Sequence, residues 1–170
     1  MHRIARFMKV SRARFDADWR ECFPDIPAPY DALILPRRAT AGSAGYDFYA
    51  PLAFALEPGE TVKIPTGVRA AIEPGWVLML FPRSGLGFKY RMQLNNTVGV
   101  VDSDYFNARN EGHIFVKLTN AGDRALRVEA SDAFAQGVFL PFGITEDDVA
   151  GGDRVGGFGS TDARRGLDGD

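Results

Sequence analysis

The sequence predicts an all-β domain, either a barrel or a sandwich, with one short helix near the N-terminus. Short apolar segments recur through the middle of the chain, and prolines and glycines interrupt them at close intervals. Strands do not alternate with helical segments, which argues against a doubly wound nucleotide-binding fold. The length of 170 residues fits a single domain with a core of ordinary size.

The predicted strands are apolar runs or alternate apolar and polar residues, and several end at Pro or Gly. They are Ala32–Leu35, Thr61–Ile64, Val68–Ile72, Trp76–Phe81, Ile114–Thr119 and Val138–Phe142.

One segment before these strands has helical periodicity. Phe15, Trp19 and Cys22 fall at positions i, i+4 and i+7, which is one face of a helix. Ser11 is a suitable N-cap, and the prolines that follow from Pro24 onward end the helix. We expect a short helix that packs on the body of the protein through its aromatic face and has no catalytic part.

The composition limits the possible partners. The chain is 45% hydrophobic and 25% charged, with a formal net charge of -2, so we expect no nucleic-acid partner. The N-terminus has no long apolar run, which predicts neither a signal peptide nor a membrane span, and a cytoplasmic location is the default. The lone Cys22 excludes an intramolecular disulfide, and with only His2 and His113 a structural zinc site is not expected.

The segment Asn95–Tyr105 carries the strongest chemical signal. Amides come first, then an apolar run, then Asp102 and Asp104 with Tyr105 close behind. A strand that ends in carboxylates places an acidic side chain at a fixed point on the rim of a sheet, where it can act as a general base. The alternative interpretation is a solvated Asp-Ser-Asp turn without catalytic function.

Four further polar segments interrupt the apolar pattern, and each is weak on its own. Pro82–Gly87 follows a strand and offers a cation, a hydroxyl and backbone N–H groups in a predicted glycine-rich turn, which suits phosphate oxygens. The others are Gly45–Asp47, Ala135–Gly137, and Arg154 with Phe158, Ser160 and Thr161.

The C-terminal segment from Gly143 onward has a different composition. It has too few apolar residues to fold alone, so we expect a mobile tail. Phe158 is an aromatic residue flanked by glycines in this polar setting, and it has no core of its own to join. We interpret it as a residue that closes over a ligand or binds a partner.

Taken together, these segments resemble in order and content the five motifs of the trimeric deoxyuridine triphosphate nucleotidohydrolases (dUTPases). The resemblance runs from Leu33 to Thr161. It implies a jelly-roll-like β-barrel that assembles as a homotrimer. The implied organisation is an N-terminal extension with a short helix (residues 1–30), a barrel core (31–145) and a flexible tail that carries the last motif (146–170).

The resemblance also implies the reaction, in which dUTP and water give dUMP and pyrophosphate in sites shared between subunits. Asp102 matches the general base that activates water to attack the α-phosphate. Tyr105 matches the residue under the sugar that leaves no room for a 2′-hydroxyl, and Asn96 matches the uracil-reading position in a hairpin. Asp47 matches the residue tied to Mg²⁺ through a bound water. The full implied substrate-binding set is Arg83, Ser84, Gly85, Asn96, Gly99, Tyr105, Gln136, Arg154, Phe158, Gly159, Ser160 and Thr161.

Two other functions remain open on the sequence. Deoxycytidine triphosphate deaminases share the fold and some motifs, although the Gly-Phe-Gly-Ser-Thr tail weighs against them. A regulatory protein that keeps the fold and sequesters a partner is the second alternative. The connection Phe106–Glu111, which is longer than the usual tight turn, or the N-terminal helix could supply its binding surface.

Overall fold

The computed structural model describes residues 2–151, and this range contains eleven strands and two α-helices. The strands are β1 (Ala5–Lys9), β2 (Tyr46–Tyr49), β3 (Phe54–Leu56), β4 (Thr61–Pro65), β5 (Val68–Ile72), β6 (Trp76–Pro82), β7 (Met92–Leu94), β8 (Gly99–Val101), β9 (Phe115–Asn120), β10 (Leu126–Val128) and β11 (Ala133–Pro141). The helices are α1 (Arg12–Cys22) and α2 (Ser84–Tyr90), and short 3-10 turns cover Tyr30–Ala32 and Ser103–Asn107.

The strands pair antiparallel in four small sheets. The largest has the order β2–β11–β6–β8, a second has the order β4–β9–β7, and two ladders join β1 to β5 and β3 to β10. The all-β prediction is therefore confirmed. Among the described residues the ladders do not continue from sheet to sheet into a closed barrel.

Helix α1 matches the prediction. The Ser11 hydroxyl accepts a hydrogen bond from the Arg14 N–H at 3.1 Å, as an N-cap does. Phe15 and Trp19 are fully buried with Val10 and Leu33 in a small second core, so the aromatic face is the docking face.

Strand β1 was not anticipated from the sequence. It pairs with β5 along its whole length, from Ala5 opposite Ile72 to Lys9 opposite Val68. Its alternation is hard to recognise because Arg6 and Lys9 are charged and the strand has only five residues. The pairing joins the N-terminal extension to the body through backbone hydrogen bonds as well as through the packing of α1.

The predicted strand at Ala32–Leu35 is wrong. The Ala32 N–H donates to the Pro29 carbonyl at 3.1 Å and the Leu33 N–H to the Tyr30 carbonyl at 3.3 Å, which closes a 3-10 turn. Leu33 is buried because it packs in the second core, not because it belongs to a sheet. An apolar run of four residues does not distinguish these two situations.

The glycine-rich turn predicted at Pro82–Gly87 is also wrong, because its greater part begins helix α2. The Leu86 and Gly87 N–H groups both donate to the Arg83 carbonyl, at 3.0 and 2.9 Å. The helix ends at Tyr90, and its C-cap residue Arg91 has a left-handed conformation with φ 51°. Gly85 and Gly87 lower the helical propensity of this segment, so its sequence favours a turn.

Glycine is required at position 112 because the backbone there passes very close to the backbone of Tyr105 and Phe106. The φ of Gly112 is +67°, and a Cβ there would lie 2.7 Å from the Tyr105 carbonyl oxygen and 2.8 Å from the Phe106 Cα. We expect Gly112→Ala to lower the free energy of unfolding by about 2–4 kcal/mol, from the left-handed strain and the clash together. Urea unfolding at fixed protein concentration measures this change.

Gly59 is the matched control for that substitution. Its φ is +85°, but a Cβ there would meet nothing within 4 Å. Gly59→Ala should therefore show the conformational penalty alone, about 1 kcal/mol. Equal losses for the two variants would mean that the turn around Gly112 relaxes to accept a methyl group.

Candidate functional site

Three predicted site residues meet at one end of the largest sheet. Strands β2, β11 and β6 lie side by side there, with Gln136 opposite both Asp47 and Phe81. Arg83, which directly follows β6, places its Nε 3.3 Å from the Asp47 Oδ1. We call Asp47, Arg83 and Gln136 the Arg83 cluster.

The Arg83 cluster is held in place by its neighbours. The Gln136 Nε2 donates to the Pro82 carbonyl at 3.1 Å, which fixes the amide beside the start of α2. A Cβ at position 45 would lie 2.9 Å from the Gln136 Oε1, so a larger residue there would require this amide to shift. The Arg83 side chain remains 42% exposed, whereas that of Asp47 is 13% exposed. The guanidinium is thus accessible to an anion from solution.

The first turn of α2 adds polar groups beside this cation. Ser84 and Gly85 are both exposed, and a Cβ at Gly85 would meet nothing within 4 Å. The predicted phosphate-binding residues therefore lie close together in the fold; they are Arg83, Ser84, Gly85 and Gln136. Arginine beside a hydroxyl and an amide is a donor set that suits phosphate oxygens.

Asp102 lies at the C-terminal end of β8, as the sequence predicts. It precedes the 3-10 turn Ser103–Asn107 in extended conformation, and its carbonyl accepts from the Tyr105 N–H at 3.2 Å. The side chain is half-buried. We call residues Asp102–Tyr105 the Asp102 turn.

The buried side chain of Tyr105 fixes the C-terminal end of the Asp102 turn. Its side chain is 1% exposed, and its hydroxyl donates to the His113 carbonyl and accepts from the Asn110 Nδ2, both at 2.7 Å. The described chain offers almost none of this ring to solvent. The sugar contact stays a prediction, and the geometry gives Tyr105 a part in fixing the turn.

Asn96 and Gly99 lie at the opposite end of β8 from Asp102. Asn96 is exposed in the turn between β7 and β8, and these strands belong to different sheets. The connection is therefore not a paired hairpin of the kind predicted. Gly99 faces β6, where a Cβ would lie 3.0 Å from the Leu80 Cβ, so this glycine is explained by packing.

The strand register separates Asp102 from the Arg83 cluster. Val101 pairs with Leu78, so Asp102 lies one step further, level with Val77. Val77 precedes Arg83 by six residues, and a rise of about 3.3 Å per residue puts the two ends about 20 Å apart. One chain therefore does not bring its own Asp102 to its own Arg83.

The remaining predicted site residues fall in the tail. Arg154, Phe158, Gly159, Ser160 and Thr161 lie outside the described residues 2–151.

The described residues do not form a ready-made metal site. Residues 2–151 contain no group of three His, Cys, Asp or Glu side chains that could hold a metal ion. Asp47, the residue predicted to serve Mg²⁺, already pairs with Arg83. A single carboxylate fits only a metal that keeps most of its water or brings other ligands with it.

Sequence reasoning missed two polar residues behind the Asp102 turn. His113 is fully buried and its Nδ1 lies 2.6 Å from the Oδ2 of Asp18, which belongs to α1. A lone His next to the apolar start of β9 is a signal for burial, because a buried ring needs hydrogen-bond partners. Nothing in the sequence indicates which of the many carboxylates would supply one.

In the range 2–151, neither α-helix has the length and apolar character that crossing a bilayer requires.

The dUTPase family model matches residues 31–161. The deoxyuridine 5′-triphosphate nucleotidohydrolase of Lactococcus lactis is 42% identical over 134 residues, which is 77% of this chain and 89% of that protein.

Solved structures have the same fold. The crystal structure of the dUTPase from Streptococcus mutans matches with a TM-score of 0.62 and 36% identity, over 82% of this chain and 98% of that one. A point mutant of the dUTPase from phage phi11 of S. aureus, described as coordinating a structural Mg(II) ion, matches with a TM-score of 0.62 and 20% identity. It covers 87% of this chain and 97% of that one.

Proposed function

The chain belongs to the dUTPase family and is a dUTP diphosphatase, and from that premise we propose how its residues carry out the reaction. The Arg83 cluster and the first turn of α2 bind the phosphates of dUTP. Asp102 accepts a proton from the water that attacks the α-phosphorus, and the bond to the departing pyrophosphate breaks. The observation that carries this assignment is the meeting of Asp47, Arg83 and Gln136 at one sheet end.

In this mechanism the protein positions the substrate and the attacking water, stabilises charge and accepts one proton. A carboxylate oxygen can accept a proton from water and so serve as the general base. Arg83 would exchange its contact with Asp47 for a phosphate oxygen, a charge-assisted bond of similar geometry. Tyr105 would hold the Asp102 turn under the sugar, and Asn96 would read the uracil edge.

We further propose a jelly-roll-like homotrimer whose sites are shared between subunits. The distance of about 20 Å between Asp102 and Arg83 in one chain supports this, because a single nucleotide needs both within reach. Strand β8 supports it too, since within residues 2–151 it is the edge of its sheet and its Val100 is 45% exposed. An unprotected edge with apolar side chains favours association with another chain.

Mg²⁺ would be held mainly by the phosphate oxygens of the substrate, with Asp47 reaching it through water. The lack of a three-residue cluster in residues 2–151 supports this outer-sphere arrangement. When bound, the ion would offset the negative charge of the triphosphate. The tail residues Arg154, Ser160 and Thr161 would contact the γ-phosphate, and Phe158 and Gly159 would cover the uracil. A cytoplasmic location is part of the same proposal.

Mixing two inactive variants tests the shared site. Asp102→Asn and Arg83→Ala chains are each expected to release little pyrophosphate from dUTP. After unfolding and refolding together in equal amounts, about a quarter of the sites should combine an intact Asp102 with an intact Arg83. Activity should therefore recover to about a quarter of the wild-type value.

The control is the same mixture without the unfolding step, in which subunits do not exchange and activity should stay low. A refolded mixture that regains its fold and assembly but remains as inactive as its components would reject the shared site. Assaying wild type on dUTP and dCTP, with ammonia as a second readout, separates hydrolysis from deamination.

A further inference from the structure

A buried hydrogen-bonded chain connects helix α1 to the segment behind the Asp102 turn. The Arg14 Nη2 lies 2.5 Å from the Asp18 Oδ1, and the Asp18 Oδ2 lies 2.6 Å from the His113 Nδ1. The His113 Nε2 accepts the Gly67 N–H at 2.8 Å. The side chains of Asp18 and His113 are 7% and 0% exposed.

The geometry fixes the protonation state of the ring. A backbone N–H only donates, so the His113 Nε2 has no proton and the Nδ1 proton is donated to Asp18. Burial lowers the pKa of His113, which agrees with a neutral ring. Although burial raises the pKa of Asp18, the hydrogen bond from His113 and the charge of Arg14 outweigh it and hold that pKa below its ordinary value.

The same histidine reaches the Asp102 turn through its backbone. Its carbonyl accepts the Tyr105 hydroxyl at 2.7 Å, and Tyr105 bonds through its own N–H to the Asp102 carbonyl. His113 is therefore held by α1 on its ring side and by Tyr105 on its backbone side. Both contacts act on one residue, so loss of the Asp18 contact would leave the position of the His113 backbone, and of the carbonyl that Tyr105 uses, less constrained.

A second contact ties the same two regions together. Glu111, in the long connection after Tyr105, accepts from the Ser11 N–H at 2.8 Å and the Ser11 hydroxyl at 2.6 Å. Burial alone would raise the pKa of Glu111, but the hydrogen bonds from Ser11 and the charge of Arg69 hold it below its ordinary value. The N-cap of α1 is thus fixed to the connection that leads to His113.

We propose that Asp18 and His113 are positioning residues that fix the Asp102 turn for dUTP hydrolysis, and that this is the role of the N-terminal extension. Asp18 lies outside residues 31–161, which the family model matches. The inference rests on the proposed roles of Asp102 and Tyr105. It assigns a function to both the extension and the long connection after Tyr105.

The test uses Asp18→Asn, which keeps the size of the side chain. Arg14 and His113 each donate to a different oxygen of Asp18, and an Asn side chain has only one oxygen. Its NH₂ group cannot replace the second oxygen, because it is a donor and the His113 Nδ1 already carries a proton. One hydrogen bond must be lost. We expect kcat for dUTP to fall about tenfold with KM changed less than about threefold, and the preference for dUTP over UTP in kcat/KM to fall as well.

A compensating double variant separates positioning from stability. In Arg14→Gln/Asp18→Asn, the Gln oxygen can accept the Asn NH₂ while the Asn oxygen accepts from His113. We expect this variant to recover kcat and the dUTP preference to within about twofold of wild type. The double variant also tests the positioning proposal if Asp18→Asn alone does not fold, because a folded double variant with low kcat would overturn that proposal.

Trp19→Phe is the control for helix docking alone. It removes the hydrogen bond from the Trp19 Nε1 to the Ile26 carbonyl, 2.8 Å long, and leaves Asp18 and His113 in place. It should lower Tm without changing kcat or the dUTP preference. If Asp18→Asn behaves the same way, positioning is rejected. Wild type that releases no pyrophosphate from dUTP would instead reject the proposed function.

Discussion

Asp102→Asn should remove most turnover while leaving the fold and dUTP binding in place. The amide has the size of the carboxylate but cannot take the proton of the attacking water. General-base catalysis contributes a factor of about 10²–10⁴, so kcat should fall by that amount with KM nearly unchanged. Pyrophosphate release at saturating dUTP measures kcat, and fluorescence titration with a non-hydrolysable analogue measures binding.

Asp104→Asn is the matched control for that experiment. Asp104 belongs to the same turn and is exposed, yet no proton transfer is assigned to it. Its kcat should remain within about threefold of wild type. Near-normal turnover of Asp102→Asn would refute the base, whereas equal losses in both variants would indicate that the turn needs its total charge.

Removing the chain from Gly151 onward should give the second largest loss. Arg154, Phe158, Gly159, Ser160 and Thr161 would all be absent, so the γ-phosphate contacts and the cover over the uracil would be lost. We expect kcat/KM for dUTP to fall by about 10²-fold or more, because closure supplies both binding and exclusion of water. The last strand, β11, ends at Pro141, so the truncation removes no strand and the assembly state should not change.

A chain that stops after Thr161 distinguishes the last motif from the residues beyond it. It keeps all five tail residues and should retain kcat/KM to within about threefold of the full chain. Size-exclusion chromatography with light scattering reports the assembly of both truncated forms. A chain ending at Ala150 that turns over dUTP normally would contradict the tail contacts.

The parts of the fold that sequence reasoning predicted are those with a strong local signal. The start of α1 is indicated by Ser11 and its buried face by Phe15 and Trp19, and all three lie in one continuous segment. Strands β4 and β5 end at prolines or glycine turns, which local pattern also reveals. Strand β1 has no such signal, because its partner β5 lies about sixty residues away and decides its conformation.

The errors have a common physical origin in tertiary contacts. Leu33 is apolar because it packs beside Phe15, a contact that a strand prediction for its segment does not contain. Helix α2 forms despite two glycines because Arg83 supplies its first acceptor where β6 ends. In the candidate site, Asp47, Arg83 and Gln136 come from three different motifs, and the structure brings them close together. The pairing of His113 with Asp18, 95 positions away, has no counterpart in local sequence.

The pairing of β1 with β5 has a consequence for any shortened form of this protein. Removing the first ten residues would strip β5 of its hydrogen-bonded neighbour and leave the N–H and C=O groups of Val68–Ile72 open along one side. Such an uncovered backbone is a template on which foreign chains add as new strands. We therefore expect the first ten residues to protect the edge of β5 from aggregation. A protein shortened to the region that it shares with its relatives should precipitate more readily than the full chain.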